Sequence, residues 1–248
     1  MKSPSRPLRI AIVANEPSGD LLGAGLIRGL KRRYPLAEFE GVGGVHMQAE
    51  GLESMVPLEK LSIMGLVEVL KYLPELLRIR RRLVRRFLSD PPDLFIGIDA
   101  PDFNLGLERK LRQRGITTVH YVCPSVWAWR TSRVNKIRAA ADLVLCLFPF
   151  EPEFLARCAI RARFVGHTLA DAIPISYQPD EVREKLGIAT KQPVLALLPG
   201  SRVSEVRTLA AIFLETARNC SRQIEDLQIL VPLVNPRVRN AFQAEVGK

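Results

Sequence analysis

Two aspartates and an asparagine share one short tract, Gly97-Ile98-Asp99-Ala100-Pro101-Asp102-Phe103-Asn104, directly after the apolar residues Leu94, Phe95 and Ile96. Such an apolar run suits a parallel strand buried on both faces. Open α/β sheets bind ligands outside the carboxyl ends of their strands. Asp99 is therefore expected at the mouth of a cleft, where its carboxylate can take a proton. Pro101 removes a backbone donor and fixes φ, so the ladder ends and the loop stiffens. The same tract also reads as a plain strand-to-helix turn, with Asp102 or Asn104 as helix N-cap.

Four other places carry chemistry. Glu16-Pro17-Ser18-Gly19-Asp20 joins a strand to a helix. Gly19 permits close approach or positive φ, and the helix start offers free N–H groups to an anionic or hydroxylated ligand. The plain alternative has Ser18 as cap and Asp20 favouring the first turn. Pro199-Gly200-Ser201-Arg202 has the same context, and Arg202 can grip phosphate bidentately. Neither loop is a dinucleotide or Walker motif. Both tryptophans lie in Val122 to Arg130, where Trp127 and Arg130 suit stacking or acyl contact, or packing between helices. His167 can titrate or donate to phosphate, or serve structure alone. Residues 64–88 combine Lys71, Arg78, Arg80, Arg81, Arg82, Arg85 and Arg86 with Leu66, Val69, Leu70, Leu73, Leu76 and Leu77 at helical spacing. That pattern fits a helix lying in a membrane interface, or a core helix with a solvated basic face.

The elements that must position these residues alternate. Leu8 to Ala14 reads as a strand, 21–33 as a helix, and Phe39 to Val42 as a strand before the Gly43-Gly44 turn. Helices are expected over 64–73 and 74–88, with Pro74 starting the second or kinking one helix. A strand at 94–98, a helix at 105–114, a strand at 117–122, a helix at 132–141 and a strand at 143–147 complete a Rossmann-like half. Residues 173–190 read as a linker region between a domain over 1–172 and a second over 191–248. The second shows strand 194–198, helix 204–222, strand 227–233 and helix 235–246, the first β-α-β-α of another Rossmann-like unit. Two strands fall short of an ordinary sheet, so this half reads as cut short.

A net charge of +10 and a pI of about 9.8 favour anionic partners. Only 6% of residues are aromatic, which argues against a nucleic-acid surface built on base stacking. The four cysteines, Cys123, Cys146, Cys158 and Cys220, form no CxxC pair and the three histidines are scattered, so spacing argues against a zinc site. Lone buried thiols suit a reducing cytosol. The short apolar run after Met1 to Pro7 is a strand rather than a signal segment, and no run is long enough to span a membrane.

Taken in order, Glu16-Pro-Ser-Gly-Asp20, Met64-Gly-Leu-Val-Glu68, Gly97 to Asn104, Tyr121 to Arg130, Phe164-Val-Gly-His-Thr168, Leu197 to Arg202 and Val231 to Asn235 resemble the lipid-A-disaccharide synthase family of Gram-negative bacteria. Asn15 stands where the family usually has Gly, and Cys123 where it often has Ser. The resemblance implies a GT-B architecture of two Rossmann-like domains. It implies an inverting transfer from UDP-2,3-diacylglucosamine to 2,3-diacylglucosamine 1-phosphate that releases UDP, with no metal and no cofactor. Asp99 would be the base and Glu16 would position a sugar. Ser201 and Arg202 would hold phosphate, and Ser18, Asp102, Asn104, Trp127, Arg130 and His167 would contact substrate. Leu66, Val69, Leu70, Leu73, Arg80, Arg81 and Arg82 would meet the anionic inner-membrane surface, giving a cytoplasmic, peripheral protein. Family members run on for roughly another half-domain, so the chain is expected to be C-terminally truncated. Two other classes stay open: a non-catalytic remnant that binds anionic lipid, and a nucleic-acid binder, which the leucine stripe beside the arginines disfavours.

Overall fold

The computed structural model describes residues 6–62, 66–127, 133–176 and 178–247, with residues 66–71 described by their backbone alone. In chain order the first elements are β1 (Arg9–Ala14), α1 (Pro17–Arg33), β2 (Glu38–Val42), α2 (Val45–Ala49), β3 (Leu52–Ser54), α3 (Leu66–Ser89) and β4 (Leu94–Ile98). They continue as α4 (Pro101–Arg112), β5 (Thr117–Tyr121), α5 (Val134–Ala140), β6 (Leu143–Cys146), α6 (Glu151–Arg157), β7 (Ala162–Phe164) and α7 (Thr168–Ala172). The remainder is α8 (Pro179–Lys185), β8 (Val194–Ala196), α9 (Val203–Gln223), β9 (Gln228–Leu230) and α10 (Pro236–Val246). The chain divides into two compact units, Met1–Pro174 and Ile175–Lys248. Helix α8 lies inside the stretch that the sequence reads as linker.

In the first unit seven strands pair in the order β3-β2-β1-β4-β5-β6-β7, every pairing parallel. Strand β1 shows why both faces need cover. Ile10, Ile12 and Ala14 join one core with Leu22, Ala24 and Ile27 of α1, while Ala11 and Val13 join another with residues of α3 and α4. A third core gathers Val134 and Ile137 of α5 with Val144 and Cys146 of β6 and Leu155 of α6. This is an α/β doubly wound sheet. In the second unit β8 and β9 pair in parallel, and Val206, Ala210 and Ala217 of α9 pack with Val238 and Phe242 of α10. Asn235 caps α10 by accepting the Val238 N–H at 2.9 Å.

The expected pair of helices over 64–88 is one helix, α3, with Pro74 inside it. Ile79, Leu83 and Phe87 fall four residues apart on one face and are buried in the α3/α4 core. Burying side chains of this size contributes about 1.5–3 kcal/mol each. That outweighs the interior proline's cost of about 3 kcal/mol.

The end of α3 is tied to the sheet's amino edge by charge. Arg9 reaches Asp90 at 2.5 Å and Glu40 at 3.0 Å, and Arg86 reaches the same two acids at 2.8 and 2.9 Å. Hydrogen bonds from Arg9 first, then Arg86, hold the Asp90 carboxyl at about 2, below its ordinary 3.8. A depressed carboxyl stabilises the fold above its unfolded pKa and loses that contribution as pH falls through the folded value. The native protein should therefore lose stability between about pH 4 and pH 2. Urea midpoints should be lower for Asp90→Asn than for wild type at neutral pH, and the two should converge as pH falls to about 2.

Candidate active site

Because every strand of the sheet is parallel, the carboxyl ends of β1, β4, β5 and β6 share one rim. Ala14 pairs with Ile98, Ile98 with Tyr121, and Tyr121 with Leu145. The residues after these positions therefore follow side by side: Glu16, Asp99, the loop from Val122, and Phe148 to Glu151.

The β4–α4 turn is the most constrained part of this rim. Asp99 has φ +52° and Ala100 φ +42°, and across the next strand Val122 has φ +81°. The left-handed region costs a non-glycine residue roughly 1–2 kcal/mol. Three of the five such residues among those described cluster here, where strain marks functional loops. Asp99 N–H donates to Tyr121 O at 2.8 Å. Asn104 Nδ2 donates to the carbonyls of Asp99, Ile98 and Val13, at 2.9, 3.1 and 3.3 Å.

Gly97 is what admits Asn104. A Cβ at residue 97 would strike the Glu108 carboxylate and come within 3.0 Å of Asn104 Cβ. One turn further along α4, Glu108 meets His120 Nδ1 of β5 at 2.7 Å, with both side chains fully buried. Burial raises the Glu108 carboxyl above its ordinary value, and the histidine opposes that rise. The site thus rests on a layer of buried polar groups.

Asp99 lines a groove of about 330 Å³ with Pro101, Val122, Cys123, Pro124, Ser125, Val126 and Arg133. Among the described residues its carboxylate has no hydrogen-bond or ion-pair partner. Asp102 is exposed and holds Arg133 through both carboxylate oxygens, at 2.8 and 2.9 Å. Asn104, expected to contact substrate, does not face the groove: it is fully buried and its amide serves the backbone. Neither it nor Asp102 caps α4; Ala100 occupies that position.

The aromatic side of the rim was only half visible in the sequence. Trp127 Nε1 donates to Glu151 Oε1 at 3.2 Å, and its ring meets Phe150 edge-on at 5.0 Å. Phe150 in turn stacks on Phe148 at 5.8 Å. All three rings are 40–52% exposed. Phe148, Phe150 and Glu151 were missed, although Phe148-Pro149-Phe150 directly after an apolar strand was the available signal. Behind the rings, Cys123, Cys146 and Glu151 converge.

The other expected residues fall as follows. Helix α1 starts at Pro17, earlier than expected, so Glu16 takes the N-cap position and exposed Ser18 lies within the first turn. Gly19 serves close approach, its missing Cβ facing Ala14 and Ile98. Asp20 is buried and accepts the Gly44, His46 and Met47 N–H groups at 2.8–3.0 Å, fixing α2. His167 Nδ1 accepts the Leu169 N–H at 3.1 Å and caps α7. In the second unit, the Glu205 carboxylate accepts from Ser201 N at 2.9 Å, Arg202 N at 3.2 Å and Arg202 Nη1 at 2.7 Å. These contacts, Arg202 foremost, hold its carboxyl below the ordinary range. The turn is thus already an anion cradle, and a phosphate using its donors has to displace Glu205. Arg130 lies outside the described residues, as do the side chains of Leu66, Val69 and Leu70. Leu73 is 40% exposed, and Arg81 and Arg82 face solvent. Arg80 is only partly exposed, its guanidinium lying over Gly106 of α4.

A doubly wound parallel sheet followed by a second α/β unit places the chain in the GT-B fold class. A structure titled as a putative UDP-N-acetylglucosamine 2-epimerase from Listeria monocytogenes covers 98% of this chain and 67% of its own, with a TM-score of 0.65 at 15% identity. The S. aureus MnaA–UDP co-structure covers 98% and 66%, with a TM-score of 0.63 at 12% identity. The family model described as lipid-A-disaccharide synthetase matches residues 10–247, and the chain belongs to that family. It is similar to lipid-A-disaccharide synthases from Erwinia tasmaniensis, 56% identical over 97% of this chain, and Aeromonas hydrophila, 52% identical over 96%. The chain spans 63% of the length of each of these two relatives.

The polar layer under Asp99 has a direct test. Gly97→Ala should force Glu108 and Asn104 aside and cost about 1–3 kcal/mol, the usual penalty for overpacking. Chemical denaturation measures it, and a loss below about 0.5 kcal/mol would show that the α4 contact yields freely.

Proposed function

We propose that this chain carries the acceptor-side machinery of an inverting glycosyltransferase of lipid A biosynthesis. On this reading UDP-2,3-diacylglucosamine donates its sugar to 2,3-diacylglucosamine 1-phosphate, and UDP leaves. The observation that carries it is Asp99, an unpaired carboxylate among the described residues, held in a strained turn at the groove of a chain in this family.

Asp99 takes the proton from the acceptor 6-hydroxyl as that oxygen attacks the anomeric carbon. A positioned base contributes about 10²–10⁴-fold. Glu16 orients a sugar from the neighbouring strand end. The leaving diphosphate gains one negative charge as its bond to the sugar breaks, and that charge needs fixed donors; on this reading Ser201 and Arg202 serve a phosphate in the second unit. Trp127, Phe148 and Phe150 offer an exposed apolar shelf for an acyl chain.

Turnover of radiolabelled donor and acceptor by the purified chain tests this reading. Asp99→Asn should lower the rate by about 100-fold or more with an unchanged melting temperature. A variant within about threefold of wild type would remove Asp99 from the role. A wild-type chain that binds substrate without turnover would favour the binding-only reading.

The same reading puts the protein on the cytoplasmic face of the inner membrane. No described helix is long and apolar enough to cross a bilayer. The start of α3 exposes Tyr72 and Leu73, while Arg78, Arg81, Arg82 and Arg85 face solvent further along. Arginines near an anionic surface contribute about 1 kcal/mol each. Arg81→Ser with Arg82→Ser should weaken flotation with anionic liposomes at low salt. Most of that difference should vanish near 1 M salt, where the Debye length is about 3 Å. Tyr72→Ser with Leu73→Ser should weaken flotation at every salt concentration. Unchanged flotation in both variants, with normal melting curves, would retire α3 as the membrane contact.

A further inference from the structure

A carboxylate taken out of water needs a compensating charge or a full set of donors. Glu151 is 2% exposed. Among the described residues its oxygens receive two neutral N–H groups, Trp127 Nε1 at 3.2 Å and Phe148 N at 3.0 Å, and the Cys123 thiol lies within hydrogen-bonding reach. No lysine or arginine pairs with it among the described residues. What stands beside it are two thiols. Cys123 Sγ, Cys146 Sγ and a Glu151 oxygen all lie within 4.8 Å of one another, and all three residues are buried.

We propose that Cys123, Cys146 and Glu151 form a binding site for a thiophilic divalent cation of the zinc type, set behind the aromatic rim of the groove. The three ligands come from different places: the loop after β5, the end of β6 and the first residue of α6. Zinc binds thiolate sulfur at about 2.3 Å and carboxylate oxygen at about 2.0–2.2 Å. Ligand atoms around such an ion stand somewhat under 4 Å apart, so closure requires side-chain shifts of about 1 Å.

Charge balance favours the exchange. As each metal–sulfur bond forms, its thiol releases a proton to solvent. Two protons leave and a dication enters, so the buried charge is unchanged. The Cys123 thiol is pushed well above its ordinary value by Cys146 first, then by burial and by the Glu151 carboxylate. Uptake should therefore strengthen as pH rises, because the ligands must lose their protons. Metal ligation also draws on the carboxylate that holds the Trp127 indole, so occupancy should reach the groove through that ring.

Cobalt is the probe. The 248-residue chain, reduced and stripped with chelator, is titrated with Co²⁺. The expected result is a thiolate-to-cobalt charge-transfer band with strong visible d–d bands, saturating at one cobalt per chain, displaced by Zn²⁺ and accompanied by a change in tryptophan fluorescence. Replacing the other two cysteines, Cys158→Ser with Cys220→Ser, should leave the spectrum intact. Cys123→Ser with Cys146→Ser should abolish it, and Glu151→Gln should weaken uptake. Absence of the band in wild type at millimolar Co²⁺ overturns the proposal. So does its loss in the Cys158/Cys220 variant, or its persistence in a folded Cys123/Cys146 variant. The wild-type and Cys158/Cys220 titrations decide the matter even where the buried-thiol variant fails to fold.

Discussion

Everything at the candidate site depends on the Asn104 side-chain amide. It gathers carbonyls from the ends of two neighbouring strands, Val13 of β1 and Ile98 with Asp99 of β4. These carbonyls lie at the carboxyl ends of the two strands, and an unmet buried carbonyl costs about 1–3 kcal/mol. The amide closes the sheet and sets the start of α4 in one move. It can do so only because Gly97 leaves room. The left-handed Asp99 and Ala100 are what remains when a helix must begin within two residues of a strand end.

That layer separates two kinds of polar residue that share one helix. Asn104 and Glu108 face inward, while Asp102 faces solvent and steadies Arg133. Asp99 belongs to neither set. Its backbone is held on both sides, by Tyr121 and by Asn104, while its carboxylate stays uncommitted among the described residues. Rigid main chain beneath a side chain free to exchange a proton is what positioning a general base requires.

The alternation of strands and helices was legible because a doubly covered parallel strand must be apolar throughout, as at 94–98, and because turn residues punctuate it. Asp99 at a strand end followed from the same rule. Helix starts were placed late at α1 and α4, since Pro17 and Pro101 sit at first-turn positions while Ser18, Asp102 and Asn104 drew the eye as caps. Asn104 was misassigned because an inward asparagine on a helix has the same letters as an outward one; only the register of α4 against Gly97 decides. The short elements α2, β3, α6 and α8 carry too few residues to show a period. The grouping of Cys123, Cys146 and Glu151 was invisible because strand pairing, not spacing, brings it about.

The left-handed pair at Asp99 and Ala100 has a consequence for how this protein can be altered. Ala100 holds a left-handed conformation that costs alanine and not glycine, so glycine there relaxes the turn. Selection for heat tolerance alone would accept that exchange, and it would accept looser geometry at the rim with it. Laboratory evolution toward robustness should therefore drift away from the groove's present shape unless turnover is selected at the same time. The tight turn is a place where durability and purpose pull the chain in different directions.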